Sequence, residues 1–206
     1  MASTRRLFSS FASLLSPTSP LTRQGRARRR YNCEKQSEWD DRAETALALL
    51  TNHRDAWRPD PQHPAKVADF GAGNERLRPM FESRFADEVK YYPYDLHPQM
   101  PTTQRLNVSQ GLPDNNFDVA ICLGLLEYLS SIPHLARALR STCRVALISY
   151  VTSDSAVAIP RDDRVRQGWT THLKAGEIER IFTEAGFHLQ GRGNSEGVAT
   201  TLWLWT

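Results

Sequence analysis

Apolar and polar positions along this chain follow two periods. Trp39, Ala43, Ala46, Leu47 and Leu50 fall on one face at helical spacing, and Ser37-Glu38-Trp39-Asp40 reads as a helix start. Residues 58–64 carry three prolines and read as a loop. The run from Ala65 to Ala68 reads as a buried strand that leads into Asp69-Phe70-Gly71-Ala72-Gly73-Asn74-Glu75, a glycine turn. Leu77, Met80, Phe81 and Phe85 then return to helical spacing, with Asn74 placed to cap that helix. Glu88 to Asp95 reads as a second strand ending in an acid, Arg105 to Val108 as a short third, and Asp118 to Gly124 as a fourth. Ser131 to Arg140 is helical with Pro133 near its start, and Arg144 to Tyr150 is a fifth strand.

Periodicity is lost over 151–171, where Asp154, Arg161, Asp162, Asp163, Arg164, Arg166 and Trp169 gather; this stretch is the candidate substrate lid. Leu173 to Ala185 is a helix stopped by Gly186. Phe187-His188-Leu189 and Val198 to Trp205 read as two strands joined by a glycine-rich hairpin loop over 191–197. Alternating strands and helices predict an α/β, Rossmann-like, doubly wound fold. Its sheet is mainly parallel and seven-stranded, with a C-terminal antiparallel hairpin strand.

Composition narrows the class. The chain has 206 residues with 40% apolar content, enough for one core, and no apolar stretch as long as a membrane span. Net charge is +3, yet residues 1–30 hold seven arginines and no acid, which leaves −4 for the remainder. A basic nucleic-acid surface is therefore not indicated. Residues 1–32 read as a disordered basic segment with the composition of a mitochondrial presequence, and 33–206 as a single domain. The matching locations are the cytoplasm or, if that segment is a presequence, the mitochondrial matrix. Cys33, Cys122 and Cys143 lack metal-ligand spacing, so no metal site is expected.

The glycine turn excludes two nucleotide signatures. Arg76 stands where the dinucleotide fingerprint needs its third glycine, and no Gly-Lys-Ser/Thr follows for a phosphate loop. An acid ending the strand and then GxG remain. Asp69, Gly71 and Gly73 resemble motif I of the class I S-adenosylmethionine-dependent methyltransferases, with Glu75 where that family usually has a third glycine. Asp95 lies 22 residues past Gly73, at the position of an acid that accepts from ribose hydroxyls. Leu112-Pro113 through Phe117-Asp118 and Leu123 to Leu129 resemble two further blocks of that family, in the same order. Arg144, Ala146, Leu147, Ile148 and Ser149 weakly echo its compact, MetW-type members.

The resemblance implies S-adenosylmethionine as cofactor and in-line methyl transfer to a small-molecule acceptor. It implies cofactor contacts at Asp69, Gly71, Gly73, Asp95, Asn107, Val108 and Leu123. Candidate groups for proton transfer are Glu127, Tyr128, His134, Tyr150, Asp154 and His172, with Glu127 and Tyr128 preferred as catalytic because their turn should face the methyl group. The alternatives are a catalytically inactive cofactor-binding interaction subunit and another Rossmann-fold enzyme with a nucleotide cofactor.

Overall fold

The computed structural model describes residues 36–206 apart from 59, 61, 156–158 and 196–199. The basic segment 1–32 and Cys33 lie outside the described residues. In chain order the elements are α1 (Gln36–Asn52), α2 (Arg54–Trp57), β1 (Ala65–Phe70), α3 (Leu77–Phe85), β2 (Val89–Asp95), β3 (Gln104–Arg105) and β4 (Phe117–Cys122). There follow α4 (Ile132–Thr142), β5 (Cys143–Val151), α5 (Arg161–Arg166), α6 (Ala175–Glu184), β6 (Leu189–Ser195) and β7 (Thr200–Trp205). Short 3-10 turns sit at Ala86–Glu88 and Leu126–Tyr128. Among the described residues no helix is long and apolar enough to cross a membrane.

The seven strands form one sheet in the order β3-β2-β1-β4-β5-β7-β6. The first five pair in parallel, and β7 runs antiparallel to both β5 and β6. This is the Rossmann-like sheet with the antiparallel end that the alternation of elements predicts. The side-chain period of two divides the strands between two cores. Val67, Val119, Ile121, Val145, Leu147, Leu202 and Leu204 face α1, α2 and α3, against Leu47, Leu50, Trp57 and Phe81. Ala68, Phe70, Ala146, Ile148, Trp203 and Trp205 face α4 and α6, against Leu135, Leu139, Ile178 and Phe182. Phe182 stacks on Trp205 with ring centroids 5.3 Å apart. Both faces are covered, which is why the central strands read as continuous apolar runs.

Three local expectations are corrected. Asn74 is exposed and does not cap α3, which starts three residues later behind Arg76, with no side-chain cap. The third strand is only Gln104–Arg105, and Asn107 and Val108 lie in the loop that follows. Gly191 and Gly193 do not form a turn: they sit inside β6, directly under α1. A Cβ at Gly193 would stand 2.6 Å from Thr45 Cγ2, and one at Gly191 would stand 2.9 Å from His53 Nε2. The glycines are there for close helix–strand approach, a need that local sequence does not display.

Candidate functional site

The carboxyl edge of β1, β2 and β4 is built around the glycine corner. The amides of Gly71 and Ala72 both donate to the carbonyl of Tyr94, at 2.8 and 3.0 Å, which folds the corner back onto β2. Gly71 and Gly73 have φ of 84° and 56°, backbone that favours glycine. Gly73 N donates to Asp95 Oδ2 at 2.9 Å, and Asp95 Oδ1 accepts from His97 N at 2.7 Å. The two acid-bearing strand ends are thus joined through one amide, with Asp95 only 4% exposed. Beside Asp95, Leu96 (48% exposed) and Met100 (42%) present apolar surface.

Glu75 takes the role of the missing glycine in backbone terms, with φ 57°. Its carboxylate is held by the hydroxyls of Thr102 at 2.6 Å and Thr103 at 2.5 Å and by Arg78 at 3.0 Å. It therefore straps the corner to the β2–β3 loop. Burial pulls its carboxyl pKa up, but those three partners outweigh burial and hold it below the ordinary value.

Asp69 accepts a hydrogen bond from the phenol of Tyr91. Burial raises the Asp69 carboxyl to about 7; the Tyr91 bond opposes the rise, and the charges of Asp95 and Glu75 add to it. Burial also pushes the Tyr91 phenol well up, reinforced by Asp69. The corner thus concentrates three carboxylates in little solvent, an arrangement that suits a cationic ligand. Among the described residues no cluster of His, Cys, Asp and Glu could hold a metal. Cys122 and Cys143 are buried free thiols; burial raises both, Cys143 to about 12.

The loop that carries Asn107 is tied to the end of β2 by Leu106 N, which donates to the Asp95 carbonyl at 2.9 Å. Its Oδ1 accepts from Ser109 N at 3.1 Å, a local turn. Val108 is buried in the core that faces α4. A cleft of about 310 Å³ opens next to it, lined by Val108, Ser109, Leu129, Ser131, His134 and Arg137. Leu123 packs into the opposite core, and its neighbour Leu125 covers Gly71, where a Cβ would meet Leu125 Cδ1 at 3.3 Å.

The candidates for proton transfer are placed differently from one another. Glu127 is buried, and its Oε1 accepts from Val151 N at 2.9 Å, so it braces the 3-10 turn against the end of β5. Tyr128 is half-buried on the same turn. Tyr150 donates to Thr171 Oγ1 and accepts from Leu173 N. Asp154 Oδ1 accepts from Ala175 N at the start of α6. His172 Nδ1 is buried with no hydrogen-bond partner, and burial, then Arg161 and Arg164, hold its pKa below the ordinary value.

The segment 151–171 is sewn down rather than loose where it is described. Arg164 is 1% exposed, and its guanidinium donates to the carbonyls of Val151 (2.7 Å), Thr152 (2.6 Å) and Ile159 (2.9 Å) while lying over the Trp169 ring. Thr170 N donates to the Glu127 carbonyl at 2.7 Å, tying the segment to the 3-10 turn. Sequence reasoning missed this role because a charged residue in an aperiodic run reads as solvated.

Comparison with known proteins agrees with this architecture. A family model described as "Methyltransferase domain" matches residues 34–190. No curated protein matches the sequence. Among solved structures, the chain is similar to a 1,6-didemethyltoxoflavin-N1-methyltransferase from Burkholderia thailandensis, solved with 1,6-didemethyltoxoflavin and S-adenosylhomocysteine. The identity is 16%, 97% of each chain is covered, and the TM-score is 0.61. It is also similar to magnesium protoporphyrin IX methyltransferase from Synechocystis PCC 6803, with bound S-adenosylhomocysteine, at 15% identity. That match covers 89% of this chain and 94% of that one, with a TM-score of 0.62. A third is found in the complex of the Haloferax volcanii Trm112 methyltransferase activator with a methyltransferase-like partner, at 11% identity, 84% and 98% coverage and a TM-score of 0.58. At these identities the likeness establishes the shared fold.

Proposed function

The chain belongs to the methyltransferase-domain family, and from that membership we propose that it binds S-adenosylmethionine at the glycine corner and methylates a small-molecule acceptor. The observation that carries this reading is the bond from Gly73 N to Asp95, which brings the corner and the acid closing β2 to one place. The relatives solved with S-adenosylhomocysteine support it by shared fold.

Bound S-adenosylmethionine supplies an electrophilic methyl group on a sulfonium whose departure leaves a neutral thioether. The protein's task is then to bind, orient and exclude water. Asp95 accepts from ribose hydroxyls, and Leu96 and Met100 cover the base. Asn107 and Val108 meet its edge. Asp69 faces the donor's ammonium group, whose charge favours the ionised carboxyl. Gly71 and Gly73 let the backbone approach, and Leu123 closes the β4 side. Glu127 and Tyr128 set the floor on which an acceptor rests. For a hydroxyl acceptor, His172 is the neutral group suited to take the proton.

Thermal shift tests the reading. S-adenosylhomocysteine should stabilise the chain, NAD should not, and Asp95→Ala should abolish the shift. A labelled methyl donor given with cell extract should then label small molecules. Stabilisation without any label would leave the interaction-subunit alternative, and a shift by NAD alone would sink the proposal.

A further inference from the structure

The stretch from Trp169 to Leu173 crosses the carboxyl edge beside the turn that follows β4. On one side, Thr170 N donates to the Glu127 carbonyl at 2.7 Å, and the Thr170 hydroxyl donates to the Leu129 carbonyl at 2.9 Å. On the other, Leu173 N donates to the Tyr150 phenol oxygen at 3.0 Å, and Ser153 N donates to the Leu173 carbonyl at 2.8 Å. The stretch is therefore stitched between the β4 turn and the end of β5. Two of its side chains hold a buried nitrogen with no hydrogen-bond partner, Trp169 Nε1 and His172 Nδ1, although both residues are only half-buried. Buried polar groups are nearly always paired, so two orphans on one short stretch point to a ligand with matching groups.

The charges around these two rings are cationic. Arg164 donates to the neutral carbonyls of Val151, Thr152 and Ile159, and its Cζ lies 5.4 Å from the centre of the Trp169 ring. None of those three bonds goes to a carboxylate. Arg161 stands three residues earlier on the same face of α5, exposed and without an ion pair among the described residues. The acids nearby are engaged elsewhere: Asp163 pairs with Arg166, Asp154 accepts from Ala175 N, and Glu127 accepts from Val151 N. Burial, then Arg161 and Arg164, keep the His172 imidazole neutral. Two guanidinium groups also make an imidazolium costly there, so this base takes a proton readily only beside an anion that offsets them. An indole N–H, which can only donate, and the planar fork of arginine suit the oxygens of a carboxylate.

We infer that the methyl acceptor is a small hydroxy acid, whose carboxylate is held by Trp169 Nε1 and Arg161 while its hydroxyl meets His172 Nδ1. This inference rests on the reading that S-adenosylmethionine binds at the glycine corner. Both nitrogens are covered in this structure, so the acid reaches them as the Thr170 stitches part. In the transfer, the hydroxyl oxygen bonds to the methyl carbon and the carbon–sulfur pair stays on sulfur. The hydroxyl proton passes to His172 Nδ1, and the bound carboxylate offsets the imidazolium that forms. The product is a methyl ether that keeps its acid group.

The test gives the full chain labelled S-adenosylmethionine and the small-molecule fraction of a cell extract, and separates the products by charge. The label should be retained on an anion exchanger at pH 7 and released at pH 2, where a carboxylate is neutral and a phosphate ester is not. It should survive alkali, as an ether does and a methyl ester does not. Acetate, the minimal carboxylate, should inhibit the labelling, and acetamide should not. Acetate should also move the Trp169 indole resonance in the chain saturated with S-adenosylhomocysteine. Arg161→Met, at an exposed position, should raise KM for the acidic fraction about tenfold, more than it lowers kcat, as expected for a lost charge-assisted bond. A labelled product that passes the exchanger or is lost to alkali would overturn the inference. So would acetate and acetamide that act alike, an indole resonance that stays still, or a wild-type KM in Arg161→Met. A chain that S-adenosylhomocysteine stabilises but that labels nothing would instead remove the transferase reading, and the acceptor with it.

Discussion

The phenol of Tyr91 on β2 donates a hydrogen bond to the buried Asp69 carboxylate on the neighbouring strand β1. That one bond opposes burial and two acidic neighbours without overcoming them, so Asp69 changes charge near pH 7.

A stability effect with a definite sign follows. Asp69 holds its proton more tightly folded, at about 7, than its ordinary 3.8. Its favourable contribution is therefore complete below the ordinary value and is lost as pH rises through about 7. Asp69→Asn, which keeps an acceptor for Tyr91, should raise the unliganded stability at pH 8 by about 4 kcal/mol and change it little at pH 4. Denaturation curves of both chains from pH 4 to 8 measure this. Affinity for S-adenosylhomocysteine, by contrast, should rise with pH through 7 in the wild-type chain alone.

Glu75 stores backbone strain and offsets it with partners. Replacing it by glycine relieves about 1 kcal/mol of left-handed strain. It also removes two hydroxyl bonds to a carboxylate and the pair with Arg78, worth about 1 kcal/mol or more each. Glu75→Gly should therefore lower stability by about 1–2 kcal/mol at pH 7. Because its folded pKa is depressed, the wild-type advantage is present above the ordinary carboxylate value and disappears as pH falls below it. Equal stability of the two chains at pH 7 would refute the strap.

Gly193 tests the seating of α1. Its absent Cβ makes room for Thr45, whose hydroxyl is held on the Asp41 carbonyl at 2.9 Å and so cannot swing aside freely. Gly193→Ala should cost about 1–3 kcal/mol by overpacking. Adding Thr45→Ala should recover much of that loss, a coupling that a double-mutant cycle reads directly.

Arg164 secures the cover over the carboxyl edge. Arg164→Met leaves three carbonyls without their donor, each worth about 1–3 kcal/mol if it stays buried. Hydrogen exchange should accelerate between 151 and 173 while β1, β4 and β5 stay protected. Uniform acceleration across the sheet would mean that Arg164 supports the whole fold instead.

The fold was legible because its strands are covered on both faces. Val67, Ile121 and Leu147 announce themselves as buried without reference to any partner. The corner was legible for a local reason too: an acid, two glycines and a helix are contiguous in the chain. Beyond a preference for Glu127 and Tyr128, the six candidates for proton transfer were not separable. Whether Tyr150, Asp154 or Glu127 is engaged by an amide or a hydroxyl depends on groups tens of residues away. The glycines of β6 misled for the same reason, since their neighbour Thr45 is distant in sequence.

By itself, then, the order of residues determined the α/β alternation, the glycine corner and the spacing of Asp95 from it, because periodicity and turn chemistry act over a few neighbours. Only the tertiary structure decided that Glu75 would strap two loops, that Arg164 would be a buried clamp, and that Arg42 would arrive beside Gly124. Those outcomes depend on which desolvated charges meet once the sheet closes, and proximity across a sheet leaves no mark on local sequence.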